Sequence, residues 1–600
     1  LEKWIYDIET YKNFFCCTCL SVDSDDKHVF IIDENRNDIG GMRKFFFKKW
    51  MIGYNSLAFD NIVVNWILAE NVSSAEKIAE FSNTIIQTKD NYEIVKYYKY
   101  NNNYKSIDLM THLFSKALRV GLKELEVTMN YENVQELPIH YTKTLTEEEK
   151  LEVLDYNLND CKATKLLCQK CKESLNLRTA ILKEFGLECY SKDGVRTGVD
   201  LLLKLYCERT GEDQREVKDQ RTFHPYIVFN KIIDKRISFQ SKEFSQLLKK
   251  LKETVITKTK GALDYKVYYK GVLFQFGTGG LHTKDAPKLI IPKENEILLD
   301  CDVASLYPSI LINLGFKPAH LRSEFLEVYK HVKDDRIRAK NAGEKLKSET
   351  YKLSLNGLYG NLINSYSWAF DSEAAMGITI NGQLFLSMLA EKLLNADIQV
   401  QSVNTDGITV LIDKNQQEKY YEICKEWEKL TNLELEYVEY LKIFRRNVNT
   451  YFAHLKNGKI KEKGEFLTQP VLGKGYSAFI IPIALKEFFI NKTPVEETIR
   501  NHTDIFNFCM MQKVDKKFQV MWNGEKQQRI NRYYVCNRGA YLYKVEGAKT
   551  INLLAGYAVK IFNKYESKED FSEYNINYNY YISEANKIIE EIVSSQSSLF

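Results

Sequence analysis

The 600-residue sequence has almost no net charge, because 84 Lys and Arg stand against 80 Asp and Glu, for a balance of +4. That excludes partner binding through bulk charge. A basic surface for nucleic acid would have to be made by placing cations along one groove. A disulfide framework is also missing. The 12 Cys lack its spacing, and Cys168-x-x-Cys171 has no second pair at zinc-ribbon distance, which argues against a structural zinc. Cys16, Cys17 and Cys19 fall in a strand-like apolar run, and Cys161, Cys168 and Cys171 on a helical pattern. They read as buried free thiols of a reducing compartment. No run reaches the roughly 18 apolar residues of a membrane span. Asp7 and Glu9 make the start too polar for a signal peptide. The expectation is a cytoplasmic protein with no membrane partner.

A chain of this length exceeds one core and should form several subdomains. With 44% hydrophobic and 27% charged residues, the composition is that of an ordinary soluble globular protein. Most of its 38 Tyr and 32 Phe are read as core, while some aromatic faces are available to stack on bases.

The most informative stretch is residues 297–309, ILLDCDVASLYPS. An apolar run delivers Asp300 and Asp302, and a turn opens the next element at Ser305. An acid at the end of a buried strand is held rigidly enough to bind a metal. A single such Asp is more often a turn former. Near the start, Asp7 and Glu9 alternate onto one strand face. Asn55 precedes Asp60, which enters an apolar helical pattern and also suits a helix start. Tyr156 and Asp160 are spaced to share a helix face. Asp108 is a further acid of this region, with no catalytic role assigned.

Gly277, Gly279 and Gly280 allow either a flexible turn or close backbone approach to a ligand. Arg336 and Lys340 share one helix face, and Lys352, Asn356 and Tyr359 another, across a turn at Asn341-Ala342-Gly343. Such stripes are also routine on solvated helices, and Lys249-Lys250-Leu251-Lys252 is read as one. Asn404-Thr405-Asp406-Gly407, between two β-type runs, has the form of a hairpin turn.

Taken together and in order, these strings resemble the motifs of family B DNA polymerases. Asp-x-x-Ser-Leu-Tyr-Pro-Ser at 302–309 resembles motif A, Lys352-x3-Asn356-x2-Tyr359-Gly360 motif B, and Thr405-Asp406 motif C. Asp7-x-Glu9, Asn55-x4-Asp60 and Tyr156-x3-Asp160 resemble the three motifs of the proofreading exonuclease. The resemblance implies an α/β multidomain protein: a ribonuclease-H-like exonuclease followed by a right-hand polymerase. The implied division is exonuclease 1–180, connection and start of palm 181–296, palm 297–322, fingers 323–364, palm 365–445, and thumb with C-terminal region 446–600. At the exonuclease site it implies two Mg²⁺ on Asp7, Glu9, Asp60 and Asp160, with Tyr156 orienting water. At the polymerase site it implies two on Asp302 and Asp406, with Mn²⁺ as a substitute. Tyr307 would pack under the incoming sugar, and Arg336, Lys340 and Lys352 would hold the triphosphate. Asn356 and Tyr359 would line the base and sugar pocket. DNA contacts would come from Asn55, Gly279, Gly280, Tyr451, Lys463 and Lys474.

The sequence departs from the family pattern in three places. Asn404 replaces the first Asp of motif C, Gly407 its following Ser, and Asn449 the Lys of a Lys-x-Tyr primer motif ending in Tyr451. The expectation is that no family N-terminal domain precedes the exonuclease. The short stretch between Asp302 and Lys352 leaves no room for a protein-priming insertion. The expected partners are primer–template DNA, dNTPs and a processivity clamp, single-strand-binding protein or helicase, with a monomeric chain of bacteriophage type. A basic stretch with Lys513, Lys516, Lys517, Lys526, Arg529 and Arg532, interleaved with Tyr533 and Tyr534, is read as phosphate-contacting. Two rival readings are a nuclease-dominated repair enzyme and a non-catalytic nucleic-acid-binding protein.

Overall fold

The computed structural model describes residues 2–88, 93–100, 102–115 and 118–597. The chain is mixed α/β and forms two units. The first runs to Gly194 and takes in Gln469–Phe479 and His502–Tyr580. The second comprises Val195–Thr468, Ile480–Asn501 and the chain from Tyr581. The region 446–600, read from the sequence as one thumb, is thus divided between them.

Among the described residues, the first unit holds a five-stranded sheet of β1 (Lys3–Tyr11), β2 (Phe14–Ser21), β3 (Lys27–Ile32), β4 (Trp50–Gly53) and β5 (Lys105–Asp108). Its order is β3-β2-β1-β4-β5. β1 pairs antiparallel with β2 and parallel with β4, so it is central and apolar on one face. β2 is buried along its whole length, which explains a strand of Phe, Cys and Leu with no polar alternation. The helix Glu147–Lys170 packs on this sheet. It starts at a capping box in which Thr146 and Glu149 satisfy each other's backbone N–H. All 12 Cys are free and buried.

The later segment joins this unit through polar contacts. Glu136 accepts the backbone N–H groups of Arg529 and Ile530, each at 3.1 Å. Arg532 is 0% exposed and donates to the carbonyls of Tyr131 and Phe562, both at 2.7 Å. Tyr533 and Tyr534 are buried. This corrects the sequence reading of Arg532 and the two tyrosines as phosphate contacts, because a guanidinium spent on internal carbonyls cannot meet a ligand.

The second unit is built on a ten-stranded sheet among the described residues. From one edge it runs Ile460–Lys463, Thr450–Leu455, Leu435–Asn447, Glu296–Val303, Gly407–Asp413 and Gln399–Asn404, and then through His282–Thr283 to the Val272–Gly277 hairpin. The helix Ser372–Asn395 is buried for nearly its full length beneath it. Its polar residues have specific partners. Gln383 donates to the carbonyls of Gly277 and Gly279 at 2.9 and 3.1 Å, fixing the glycine turn. The helices Glu324–Asn341 and Lys345–Leu362 pack as an antiparallel pair. No helix among the described residues is long and apolar enough to cross a membrane.

Candidate active sites

In the first unit, Asp7 and Glu9 project from one face of β1, and Asp60 is the first residue of the helix Asp60–Glu70. Asp160 lies one turn after Tyr156 on Glu147–Lys170. The fold brings these residues close enough for their charges to act on one another. Burial, then the charges of Asp60, Glu9 and Asp160, push Asp7 well above the ordinary carboxylate range. Burial followed by Asp160 and Asp60 does the same to Glu9. Asp60 is pushed up to about 7, chiefly by burial. Four crowded acids with raised pKa values are an unmet demand for positive charge.

Three partners of this cluster carry no motif signature. Asn157 donates to an Asp7 oxygen at 2.7 Å and accepts the Thr18 N–H at 3.1 Å, which fixes Asp7 in place. The Lys123 ammonium is hydrogen-bonded to Asp160, is 3.0 Å from Glu126, and lies 4.8 Å from the centre of the Tyr156 ring. Glu126 is 0% exposed, and burial pushes it up to about 8 despite Lys123. The one available signal was the spacing Lys123-x-x-Glu126 on a short helix, which is common on any surface helix. Asn55 takes the left-handed conformation, φ 58°, and its N–H is held by Asp108 at 2.9 Å. Asp108 also accepts from Leu57 and Met110, so it anchors the loop before Asp60.

In the second unit, Asp302 ends its strand directly opposite Gly407, and Gly407 also faces Asn404 across the hairpin. A Cβ on Gly407 would stand 1.9 Å from an Asp302 oxygen. The register therefore leaves no room for a side chain at Gly407. The hairpin tip is braced from below: the Thr405 N–H donates to the Leu281 carbonyl at 2.8 Å, and a Cβ on Gly280 would meet the Thr405 hydroxyl at 2.7 Å. Gly279 is open on its Cα side.

Asp302 and Asp406 line a cavity of about 270 Å³ together with Asp300, Asn404, Asn449, Tyr451 and Lys461, among others. Lys463 and Arg445 also border it. Burial, then Asp300, push Asp302 up to about 7, against the pull of Lys461. Burial raises Asp406 as well, with Lys461 and Lys463 opposing. Asp300 itself accepts from Thr409 Oγ1 at 2.8 Å and from the Tyr440 hydroxyl at 2.7 Å.

Tyr307 and Tyr359 meet with ring centres 4.8 Å apart. Arg336 donates to Ser305 Oγ at 3.1 Å, beside the turn that follows Asp302. Lys352 pairs with Glu349 at 3.1 Å, both partly exposed, and Lys340 with Glu436 at 3.8 Å, both mostly exposed. Such pairs are weak and exchange readily for a denser anion. Asn356 is exposed on the same helix as Lys352. Lys474 belongs to the first unit and does not line the cavity.

Both acidic clusters offer oxygen donors only, which suits hard divalent cations. Among the described residues, no three His, Cys, Asp or Glu side chains stand preset around a metal position. Lys123 and Lys461 supply the positive charge within the two clusters.

No family model and no curated protein matches the chain. A solved family B DNA polymerase from the hyperthermophilic archaeon Pyrobaculum calidifontis is similar to it, with a TM-score of 0.42 and 14% identity, over 99% of this chain and 78% of that one.

Proposed function

We propose that the chain is a family B-type DNA polymerase that extends a primer from dNTPs on a template and proofreads with a 3′→5′ exonuclease. One observation carries the reading. Two acidic centres form, each from residues distant in sequence, and each gathers the acids of one motif set: Asp7, Glu9, Asp60 and Asp160 in one, Asp302 and Asp406 in the other. The raised pKa values support metal binding at both, because a cation would relieve the crowding. Two Mg²⁺ or Mn²⁺ at each centre would supply the charge that phosphoryl transfer requires.

The chain's own side chains then have separable tasks. At the first centre, Asn157 orients Asp7, and Tyr156, one helical turn before Asp160, would hold the attacking water. At the second, the Tyr307–Tyr359 pair forms a floor for the incoming sugar and disfavours a ribose 2′-hydroxyl. Arg336, Lys340 and Lys352 exchange their present partners for triphosphate oxygens. Gly279, Gly280, Asn55, Tyr451, Lys463 and Lys474 are the proposed DNA contacts. The proposed setting is viral genome replication in an infected cell, by a monomer with a processivity clamp, single-strand-binding protein or helicase.

The test is extension of a labelled primer with Mg²⁺, with and without dNTPs. Extension lost only in Asp406→Asn, and shortening without dNTPs lost only in Asp7→Ala, is the expected pattern. Shortening without extension would favour the repair-nuclease reading. Neither activity would leave nucleic-acid binding alone.

A further inference from the structure

Two cations stand face to face in the second unit with too little negative charge beside them. The strand Lys288–Ile290 pairs antiparallel with Leu435–Asn447, and the register sets Lys288 directly opposite Arg445. Directly opposed residues share a sheet face, and like charges in that position repel. Arg445 is 6% exposed; its Nη1 lies 3.1 Å from Asp285 and donates to the Gln401 carbonyl at 2.9 Å. Asp285 is held in turn by Ser402 Oγ and Thr283 Oγ1, at 2.5 and 2.6 Å. That acid is spent on Arg445. Lys288 has a neutral partner, the Gln401 side-chain oxygen at 3.3 Å. The Arg445 Nε is buried and has no hydrogen-bond partner among the described residues. Burial, then the charge of Arg445, hold Lys288 below the ordinary lysine range.

Lys288 and Arg445 line a cavity of about 510 Å³, which is separate from the Asp302–Asp406 cavity although Arg445 borders both. Lys270 and Lys284 line it as well, both exposed, so four cations face two acids, Asp285 and Asp397. Asp397 is 3.4 Å from Lys270. The surplus therefore falls on Lys284 and Lys288. Leu273 and Val400 give the wall an apolar part. A cavity of this size, apolar in part and with a few convergent charges, suits a small organic ligand.

We infer that this cavity binds a nucleoside monophosphate, with the phosphate between Lys288 and Arg445 and the remainder against the apolar wall. A phosphate monoester carries about −1.5 to −2 charge near neutral pH, which matches two surplus cations. A phosphodiester carries a single charge and matches them less well. The monoester's oxygens can accept from the Arg445 Nε and the Lys288 ammonium together, and charge-assisted bonds of that kind are the strong ones. No step of the reaction proposed above uses this cavity.

The experiment is calorimetric titration of the full chain with AMP, without divalent metal. The proteins are wild type, Lys288→Ala, Lys288→Arg, Lys284→Ala and Lys352→Ala. Arg445 is left intact because it borders the acidic cavity. Loss of one charge-assisted contact should weaken AMP binding by about tenfold in Lys288→Ala. Lys288→Arg should keep most of the binding. Lys284→Ala, at an exposed position where the fold is not at stake, should weaken it by about threefold. Lys352→Ala, which removes a cation of the proposed triphosphate site, should bind AMP as wild type does. Without ligand, Lys288→Ala should melt no lower than wild type, since the opposed like charges are gone. AMP binding that Lys288→Ala and Lys284→Ala both leave unchanged would overturn the inference, as would binding lost in Lys352→Ala instead. Inorganic phosphate that binds as tightly as AMP, or primer–template DNA that displaces AMP from Lys352→Ala, would overturn the assignment to a nucleotide.

Discussion

In the first unit four acids are gathered from three elements spread between residues 7 and 160, and in the second one acid lies near the end of a strand and the other in the hairpin turn that leads into the strand paired with it. The first arrangement depends on tertiary packing. A helix N-terminus and a long helix must both meet β1, and Asn157, Lys123 and the Asp108-anchored loop hold them there. The second depends on strand register, since Asp302 faces Gly407 through the ladder itself. Each cluster nevertheless contains the same counterweight, a lysine beside a tyrosine: Lys123 with Tyr156, and Lys461 with Tyr451. A crowd of buried acids costs stability unless a cation shares the space. The comparison separates how acids are assembled from how their charge is tolerated.

The sharpest way to break it is at Gly407. Alanine there would put a Cβ 1.9 Å from the Asp302 oxygen, so the carboxylate or the strand must move. Misplacing a reacting group by about 1 Å costs on the order of 10²-fold in rate. Gly407→Ala should therefore lose primer extension on that scale and keep primer shortening, in the same assay. Equal loss of both activities would mean that the substitution unfolds the chain instead of shifting one carboxylate. Next in size is Lys123→Ala. Removing the cation from Asp160 and Glu126 leaves the acids to repel one another, and primer shortening should fall by roughly tenfold, the scale of one lost charge-assisted hydrogen bond. Extension should be untouched, and added Mg²⁺ should recover part of the loss.

What was legible in the sequence follows the same division. Asp7 and Glu9 could be placed on one face from alternation, and Tyr156 and Asp160 from helical spacing, because local periodicity survives into the fold. The Asn404–Gly407 hairpin was legible from turn chemistry. Lys123, Asn157, Asp300 and Lys461 were not assigned roles, since each acts on a residue distant in sequence or outside any recognised spacing. Arg532 was misread for the converse reason. Its neighbours in sequence are basic, whereas its partners are carbonyls at 131 and 562. Gly407 looked like a lost side chain until the register put the Asp302 carboxylate in the space its Cβ would fill.

The smallest expected effect concerns pH, and it sharpens the comparison because the two units differ in how many acids they crowd. In the metal-free chain Asp60 and Asp302 are both pushed up to about 7 and Glu126 to about 8. Unfolded carboxylates titrate near about 4. A folded pKa above the unfolded one contributes stability at low pH that is lost as pH rises through the folded value. Metal-free protein should therefore melt lower at pH 8 than at pH 6.5. His112, which burial holds down at about 4, works in the opposite sense only below that window, where the unfolded imidazole gains its proton. The melting midpoint should fall by about 2 °C, the scale of roughly 1–2 kcal/mol in units of this size. Amide exchange should report the larger loss in the first unit, which crowds Asp7, Glu9, Asp60, Asp160 and Glu126. Mg²⁺ at pH 8 should reverse the fall, because ionised carboxylates bind it and protonated ones do not. A midpoint that rises between pH 6.5 and 8 without metal would mean that Lys123 and Lys461 already balance their clusters.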